Sequence, residues 1–419
     1  MPGQDYIAEA IGLSRYAIAG DGIGGMLKTR VVDFRVEEEI KAPSLDPRGR
    51  FTVARITLTN WETNRFINRL AKILRMSRDR IWFAGTKDKR AVTRQLFVID
   101  AKLEKVKGVE IPDTEIEIIG RTHQKIGFGS HRGNSFTIVV RGCCDSSGEP
   151  LSETEALERI EHLRTGMEGI GESEEIQEFR AMIRDGKDFA EALEKCPERL
   201  GFEANMLKRL VEKEGDWVGA FLRLPRNLQL MMVHALQSEF FNRALHSRLD
   251  SGLPLATPLL GDFVAPVDER GAPLLDRIAS VSEKNQSRIS RNCALGRLVV
   301  LGSLPGSMSK KTSGESGKIE AETITTMGLA DTDWRVPKIE RLTTKGSHRQ
   351  LVTNFSGFVV DTVPIALGDS LSQRWNEGVQ DGDLWHPEGA CIRFRFSLAP
   401  GSYATTFLRE FMRVPLRQL

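Results

Sequence analysis

The sequence is poor in the features that mark several large protein classes. Its five cysteines, Cys143, Cys144, Cys196, Cys293 and Cys391, are odd in number and include no CxxC pair. That argues against a disulfide framework and against structural zinc, and it points to a reducing compartment. The seven histidines are scattered and show no HExxH spacing, so no metal site is expected. No apolar run is long enough to span a bilayer, and no charged-then-apolar signal opens the chain. A cytoplasmic protein without membrane attachment is therefore expected. Charge of one sign is not in excess either: 59 Lys and Arg face 57 Asp and Glu, for a net charge of +2. This excludes a uniformly basic nucleic-acid coat but leaves local basic surfaces open.

What is present is an ordinary globular composition, 40% apolar and 28% charged over 419 residues, long enough for two domains. Residues 31–40 alternate, with Val32, Phe34 and Val36 on one side and Asp33, Arg35 and Glu37 on the other, as a half-buried strand does. Residues 51–59 form a second strand. Residues 63–76 repeat as a helix, with Phe66, Ile67, Leu70, Ala71 and Leu74 inward and Arg65, Arg69 and Lys72 outward. Short strands are expected at 95–100, 115–119 and 135–141. Helical periodicity then takes over at 153–164, 176–184, 189–195 and 228–248. Residues 307–317 are polar and read as a mobile loop. Strands return at 357–361 and 391–398, and Ser402 is placed to cap a closing helix through Met412. Strands, then helices, then strands again predict an α+β domain split by a largely helical insertion.

Two glycine motifs carry little weight. Gly20-Asp-Gly22-Ile-Gly-Gly25 matches GxGxxG, but a dinucleotide site needs a helix to follow, and here a strand does. Residues 22–29 resemble a P-loop with Leu27 in place of the second glycine and no helix N-terminus behind it. No nucleotide cofactor is expected.

The segment with the most chemistry is residues 83–95, Phe-Ala-Gly-Thr-Lys-Asp-Lys-Arg-Ala-Val-Thr-Arg-Gln. It sets Asp88 among Lys87, Lys89, Arg90 and Arg94, between two apolar strands. Neighbouring cations keep a carboxylate ionised, which suits nucleophilic or electrostatic work better than proton donation. The plain alternative is a salt-bridged surface turn. Ten Lys or Arg residues lie between 63 and 94 against only two acids, Asp79 and Asp88. A second basic cluster comprises Arg121, His123, Lys125, His131 and Arg132. Such density suits a phosphate backbone, and the nearby Trp82, Phe83, Phe128 and Phe136 suit bases splayed out of a stack. A solubilising face and ordinary core packing explain the same residues.

On these residues the chain resembles the TruD family of tRNA pseudouridine synthases. The segment from Ala84 to Gln95 is similar to the family signature. Four further stretches are similar in the same order. They are Gly24–Lys28 followed by Asp33–Glu38, then Arg132–Phe136, then Arg226–Asn242, and finally Leu398–Thr405. One family segment, of the form Asn-x-Phe-Gly-x-Gln-Arg-Phe-Gly, does not appear. Glu168-Gly-Ile-Gly-Glu-Ser-Glu stands in its place, and the abrupt junction at residues 170–172 favours omission of a segment over its loss.

The resemblance implies a pseudouridine-synthase-like catalytic domain with a mostly antiparallel mixed sheet, built from residues 1–160 and 376–419. It also implies a largely helical α/β insertion (TRUD) domain at 161–375. The implied activity is isomerisation of uridine to pseudouridine in tRNA at uridine-13, by a monomer that needs no cofactor. By the same resemblance Asp88 is the catalytic carboxylate and Lys28 its ion-pair partner. Phe34, Asn134, Phe136 and Tyr403 would lie near the flipped base. Arg65, Arg69, Lys72, Lys87, Lys89, Arg90 and Arg132 are expected to meet the RNA backbone. A non-catalytic RNA-binding protein of the same fold is the alternative. An NTP-dependent enzyme rests only on the glycine motifs.

Overall fold

The computed structural model describes residues 16, 20–87, 89–127, 129–164, 201–224, 226–269, 271–353, 355–365, 371–415 and 418–419. These divide into two compact units. One runs through the first third of the chain, returns at Thr353 and continues to Leu419; the other ends at Val352.

The first unit is built on a sheet of nine described strands. They are β1 (Gly24–Met26), β2 (Phe34–Glu39), β3 (Phe51–Thr59), β4 (Ile81–Phe83), β5 (Val92–Ile99), β6 (Thr114–Thr122) and β7 (Gly133–Cys143), with β12 (Phe355–Thr362) and β13 (Ile392–Leu398) added at the return. The order is β12-β13-β7-β2-β5-β3-β6, with β1 beside β7 and β4 beside β5. Every pairing is antiparallel except β2 with β5. The strand expected at 31–40 begins later, because Val31–Asp33 form a 3-10 turn. Asp33 is buried there and accepts two hydrogen bonds from Arg141 on β7, each 2.7 Å. The return also comes earlier than residue 376, since β12 already pairs with β13 along 355–362.

Helix α1 (Thr63–Ile73) lays Phe66, Ile67, Leu70 and Ala71 on Ala54, Ile56, Leu58, Phe97 and Ile99 of the sheet. Its N-cap is Glu62, whose carboxylate accepts from the N–H groups of Asn64 and Arg65. A short helix, α2 (Leu103–Lys107), follows β5. Helix α3 (Glu153–Arg164) and the closing helix α10 (Ala404–Met412) cover another hydrophobic cluster, with Phe34, Phe136, Ile138, Phe394 and Phe396 under Phe407, Leu408 and Phe411. Tyr403, not Ser402, is the N-cap of that closing helix, and its side chain makes no capping bond.

The GxGxxG stretch runs into β1, as its sequence context suggests. Gly25 has φ +93, and a Cβ there would stand 2.4 Å from Val140 Cγ1; Gly24 has φ +58, and its Cβ would meet the Cys144 carbonyl at 2.7 Å. These glycines let β1 lie against β7.

The second unit holds α4 (Gly201–Glu212), α5 (Trp217–Phe221), the long α6 (Arg226–Asp250), α7 (Gln286–Ala294) and α8 (Gly314–Thr326). These accompany a four-stranded sheet in the order β11 (Ser347–Gln350), β10 (Leu298–Leu304), β8 (Phe263–Pro266), β9 (Ala279–Ser280). A buried Arg248–Asp262 pair at 2.9 Å ties α6 to the start of β8. The helices expected at 176–184 and 189–195 lie outside the described residues. Helix α9 (Gln373–Glu377) belongs to the first unit, capped by the Ser372 hydroxyl. Among the described residues no helix is long and apolar enough to cross a membrane.

Candidate active site

The loop between β4 and β5 is held from beneath by buried polar side chains. Strand register explains their meeting. Val36 stands opposite Phe136 on β7 and beside Thr93 on β5, and Glu38 stands opposite Asn134. One face of the sheet centre is therefore polar at Glu38, Thr93, Gln95 and Asn134, between the cluster under α1 and the cluster under α10. The Gln95 amide donates to the Gly85 carbonyl at 2.6 Å. The Thr63 hydroxyl, at the start of α1, accepts from the Lys87 N–H at 3.0 Å and donates to Gln95 Oε1 at 3.4 Å. The Lys87 ammonium donates to Glu38 Oε1 at 2.9 Å, with side chains only 8% and 0% exposed. The other Glu38 oxygen accepts the Leu96 N–H at 3.3 Å. From the far side, Gly129 N–H donates to the Ala84 carbonyl at 2.6 Å. Buried polar groups joined in this way fix a loop rigidly.

The same loop reaches the turn after β1. Lys28 has φ +53, a left-handed conformation uncommon for a lysine. The Arg90 guanidinium donates to the Lys28 carbonyl at 2.8 Å and to the Thr29 carbonyl at 3.1 Å. The Lys28 ammonium lies 5.1 Å from the centroid of the Phe34 ring, within cation–π range. Asp88 lies outside the described residues, as does Phe128.

The remaining expected residues divide by exposure. Phe34 and Phe136 are buried in the core beneath α10, and Phe136 stacks on Phe396 at 5.3 Å. Their rings serve packing first. Asn134 is half-buried, and its Oδ1 has no hydrogen-bond partner among the described residues; the buried Thr93 hydroxyl also lacks one. A buried acceptor left unpaired costs about 1–3 kcal/mol, so such atoms are candidates for a ligand contact. Tyr403 is 47% exposed. Arg65, Arg69 and Lys72 stand exposed on the outer side of α1, and Lys89 and Arg132 are exposed beside the loop.

Two cations expected to reach RNA are instead turned inward. Lys87 is sunk onto Glu38, because a carboxylate with no water around it must be paired. Arg90 grips backbone carbonyls. Arg94 is held between Glu37 and Glu117, at 2.8 and 2.7 Å. Glu38, Thr63 and Gln95 received no role from sequence, though a signal was present. The alternation that turns Phe34 and Val36 inward carries Glu38 inward too.

The site thus offers a loop fixed at both flanks of residue 88, a lysine on a clamped turn, and unsatisfied polar atoms at the sheet centre. These parts suit a charged loop acting on a polar ligand.

Comparison with known proteins bears on this arrangement. The family model described as tRNA pseudouridine synthase D (TruD) matches residues 10–168 and 162–411. Its two pieces overlap at residues 162–168. A Methanococcoides burtonii protein named "Probable tRNA pseudouridine synthase D" is 33% identical over 451 residues, covering 98% of each chain. A Methanosarcina acetivorans protein of the same name is 29% identical, covering 99% of this chain and 98% of its own. These matches exceed the 419 residues of this chain, so the relatives carry residues it lacks. A crystal structure described as "Putative tRNA pseudouridine synthase D (TruD)" from Methanosarcina mazei superposes with a TM-score of 0.69. Its identity is 27%, with 99% of both chains covered.

Proposed function

Because this chain belongs to the tRNA pseudouridine synthase D (TruD) family, we propose that it converts uridine-13 of tRNA to pseudouridine with Asp88 as the catalytic carboxylate. The enzyme is an isomerase. The uridine N1–C1′ bond breaks, uracil turns within the site, C5 bonds to C1′, and the C5 proton leaves while N1 takes up a proton. Product and substrate have the same atoms and oxidation level, so the balance requires no co-substrate. An ionised carboxylate can serve at C1′ by attack, by stabilising oxocarbenium-like charge, or by taking the C2′ proton.

The observation that carries this reading is the Arg90 clamp. Two residues beyond Asp88, Arg90 grips the carbonyl of Lys28, and so links the acid's loop to the turn of its proposed partner. The unpaired Asn134 Oδ1 supplies a contact for an N–H of the base, and the exposed Tyr403 ring a stacking surface. Arg65, Arg69, Lys72, Lys89 and Arg132 supply phosphate contacts. The first unit is the catalytic domain and the second the TRUD insertion; the protein acts as a monomer in the cytoplasm. Asp88→Asn tests the assignment with an unmodified tRNA transcript, by tritium release and by mapping of the modified position. Product formation is expected to vanish while tRNA affinity stays within about twofold. Retained turnover would remove Asp88 from the mechanism, and product mapped elsewhere would remove uridine-13.

A further inference from the structure

The polar stretch after β10 is built into the second unit and is not a loose loop. Ser307 and Met308 donate their N–H groups to the carbonyls of Thr344 and Lys345, at 2.9 and 3.1 Å. The Gln237 amide, from α6, donates to the Pro305 carbonyl at 2.7 Å and to the Thr344 hydroxyl at 3.0 Å. The two backbones approach so closely that a Cβ on Gly306 would fall 1.9 Å from Gly346 N. Only glycine permits this contact. The expectation of mobility at 307–317 is thereby corrected: the first part is pinned, and α8 begins at Gly314.

This pinned loop displays an unusual tip. Met308 is 72% exposed, the most exposed large apolar side chain among the described residues. Lys310, Lys311 and Lys345 stand exposed around it, and none has a carboxylate partner among the described residues. Beneath the tip is a recess of about 210 Å³, lined in part by Leu275, Asp276, Ile278, Met308, Lys310 and His348. His348 Nε2 is buried and has no hydrogen-bond partner among the described residues. Burial, and then the Lys310 charge, push the His348 ring below its usual pKa. Near pH 7 it is therefore neutral, with one accepting nitrogen.

We propose that this recess receives one unstacked nucleotide of the tRNA, a second RNA contact apart from the candidate active site. The recess is smaller than the roughly 300 Å³ at the low end for drug-sized ligands, a size suited to a single planar heterocycle. Met308, Leu275 and Ile278 offer apolar surface to the faces of a base. His348 and Asp276 offer polar atoms to its edge, and the three lysines attract the flanking phosphates. Because the loop is already ordered, little conformational entropy is lost on binding. The inference rests on the tRNA reading for its partner, and it names a site which that reading does not contain.

The test uses the full chain and an unmodified tRNA transcript, with Kd measured across a salt series. Lys310→Ala combined with Lys311→Ala is expected to weaken binding and lower the log–log salt slope by about 1.4 to 1.8. Met308→Ala is expected to raise Kd about four- to sixtyfold, the scale of one to three methylene-sized groups withdrawn from apolar contact, with the slope unchanged. kcat at saturating tRNA should hold in both. A benzophenone side chain introduced at Leu275 should cross-link to the RNA, a readout that does not depend on truncating a side chain. Parent-like Kd in both variants, or no RNA adduct, would overturn the proposal. So would altered self-association in the variants with unchanged RNA affinity, which would make the tip a contact between copies. The two readings fail separately. A parent chain that makes pseudouridine while the variants bind normally removes only the recess. A parent that binds through the recess but makes no product removes only the catalytic reading.

Discussion

Lys87→Met separates two opposed accounts of one cation. As a surface lysine it would meet a phosphate, and its loss would weaken tRNA binding and lower the salt slope by about one. In the structure its ammonium lies 2.9 Å from Glu38, with 8% and 0% of the two side chains exposed. Removing one partner of such a pair strands the other charge away from water, at a cost of about 3–5 kcal/mol. Lys87→Met should therefore destabilise the protein by about that amount. Adding Glu38→Gln should recover about 2 kcal/mol or more, because glutamine carries no charge and keeps an acceptor for the Leu96 N–H. Denaturant unfolding of the parent, both singles and the double gives the coupling energy. Under conditions where the single variant stays folded, kcat should fall, because the loop beside Asp88 loses an anchor, while the salt slope of tRNA binding holds. A Lys87→Met protein as stable as its parent, with a lowered salt slope, would refute the buried-pair account and return Lys87 to the RNA surface.

Neutralising Arg65, Arg69 and Lys72 together should lower the salt slope by about 2 to 3 and raise Kd, with little loss of stability, because all three are exposed on α1; an unchanged slope in filter binding would clear this helix of RNA contact. Phe136→Ala should cost about 3–5 kcal/mol by opening a cavity against Phe396, and calorimetry showing parent-like stability would remove the ring from the core. The hydrogen bonds from Arg50, with Arg80 beside it, hold the Asp100 carboxyl below its usual pKa. A depressed carboxylate stabilises the fold above its unfolded pKa of about 3.9, and that contribution is lost as pH falls through the folded value. The stability gap between the parent and Asp100→Asn, measured by denaturant titration, should therefore be open at pH 7 and close below about pH 4.

Much of this protein was legible in its sequence because the signals were local. The strand at 51–59 and the apolar stripe at 66–71 each depend on residues a few positions apart; the strand formed over its expected span, and the helix began at Thr63 but ended at Ile73 instead of residue 76. The glycine motif at 20–25 could be set aside on the strand that follows it. The family itself was carried by the long, specific run from Ala84 to Gln95. Sequence could not tell which cations are free. Lys87 and Lys89 are equivalent in the chain, yet one is buried on Glu38 and the other is exposed. Arg90 looked like a phosphate ligand until the fold brought the Lys28 carbonyl to its guanidinium. Likewise a stretch of Gly, Ser and Lys read as mobile is pinned by Thr344 and Lys345, more than thirty positions away. A charge, a turn or a loop acquires its role from what the fold packs against it, and those partners come from strands and helices distant in sequence.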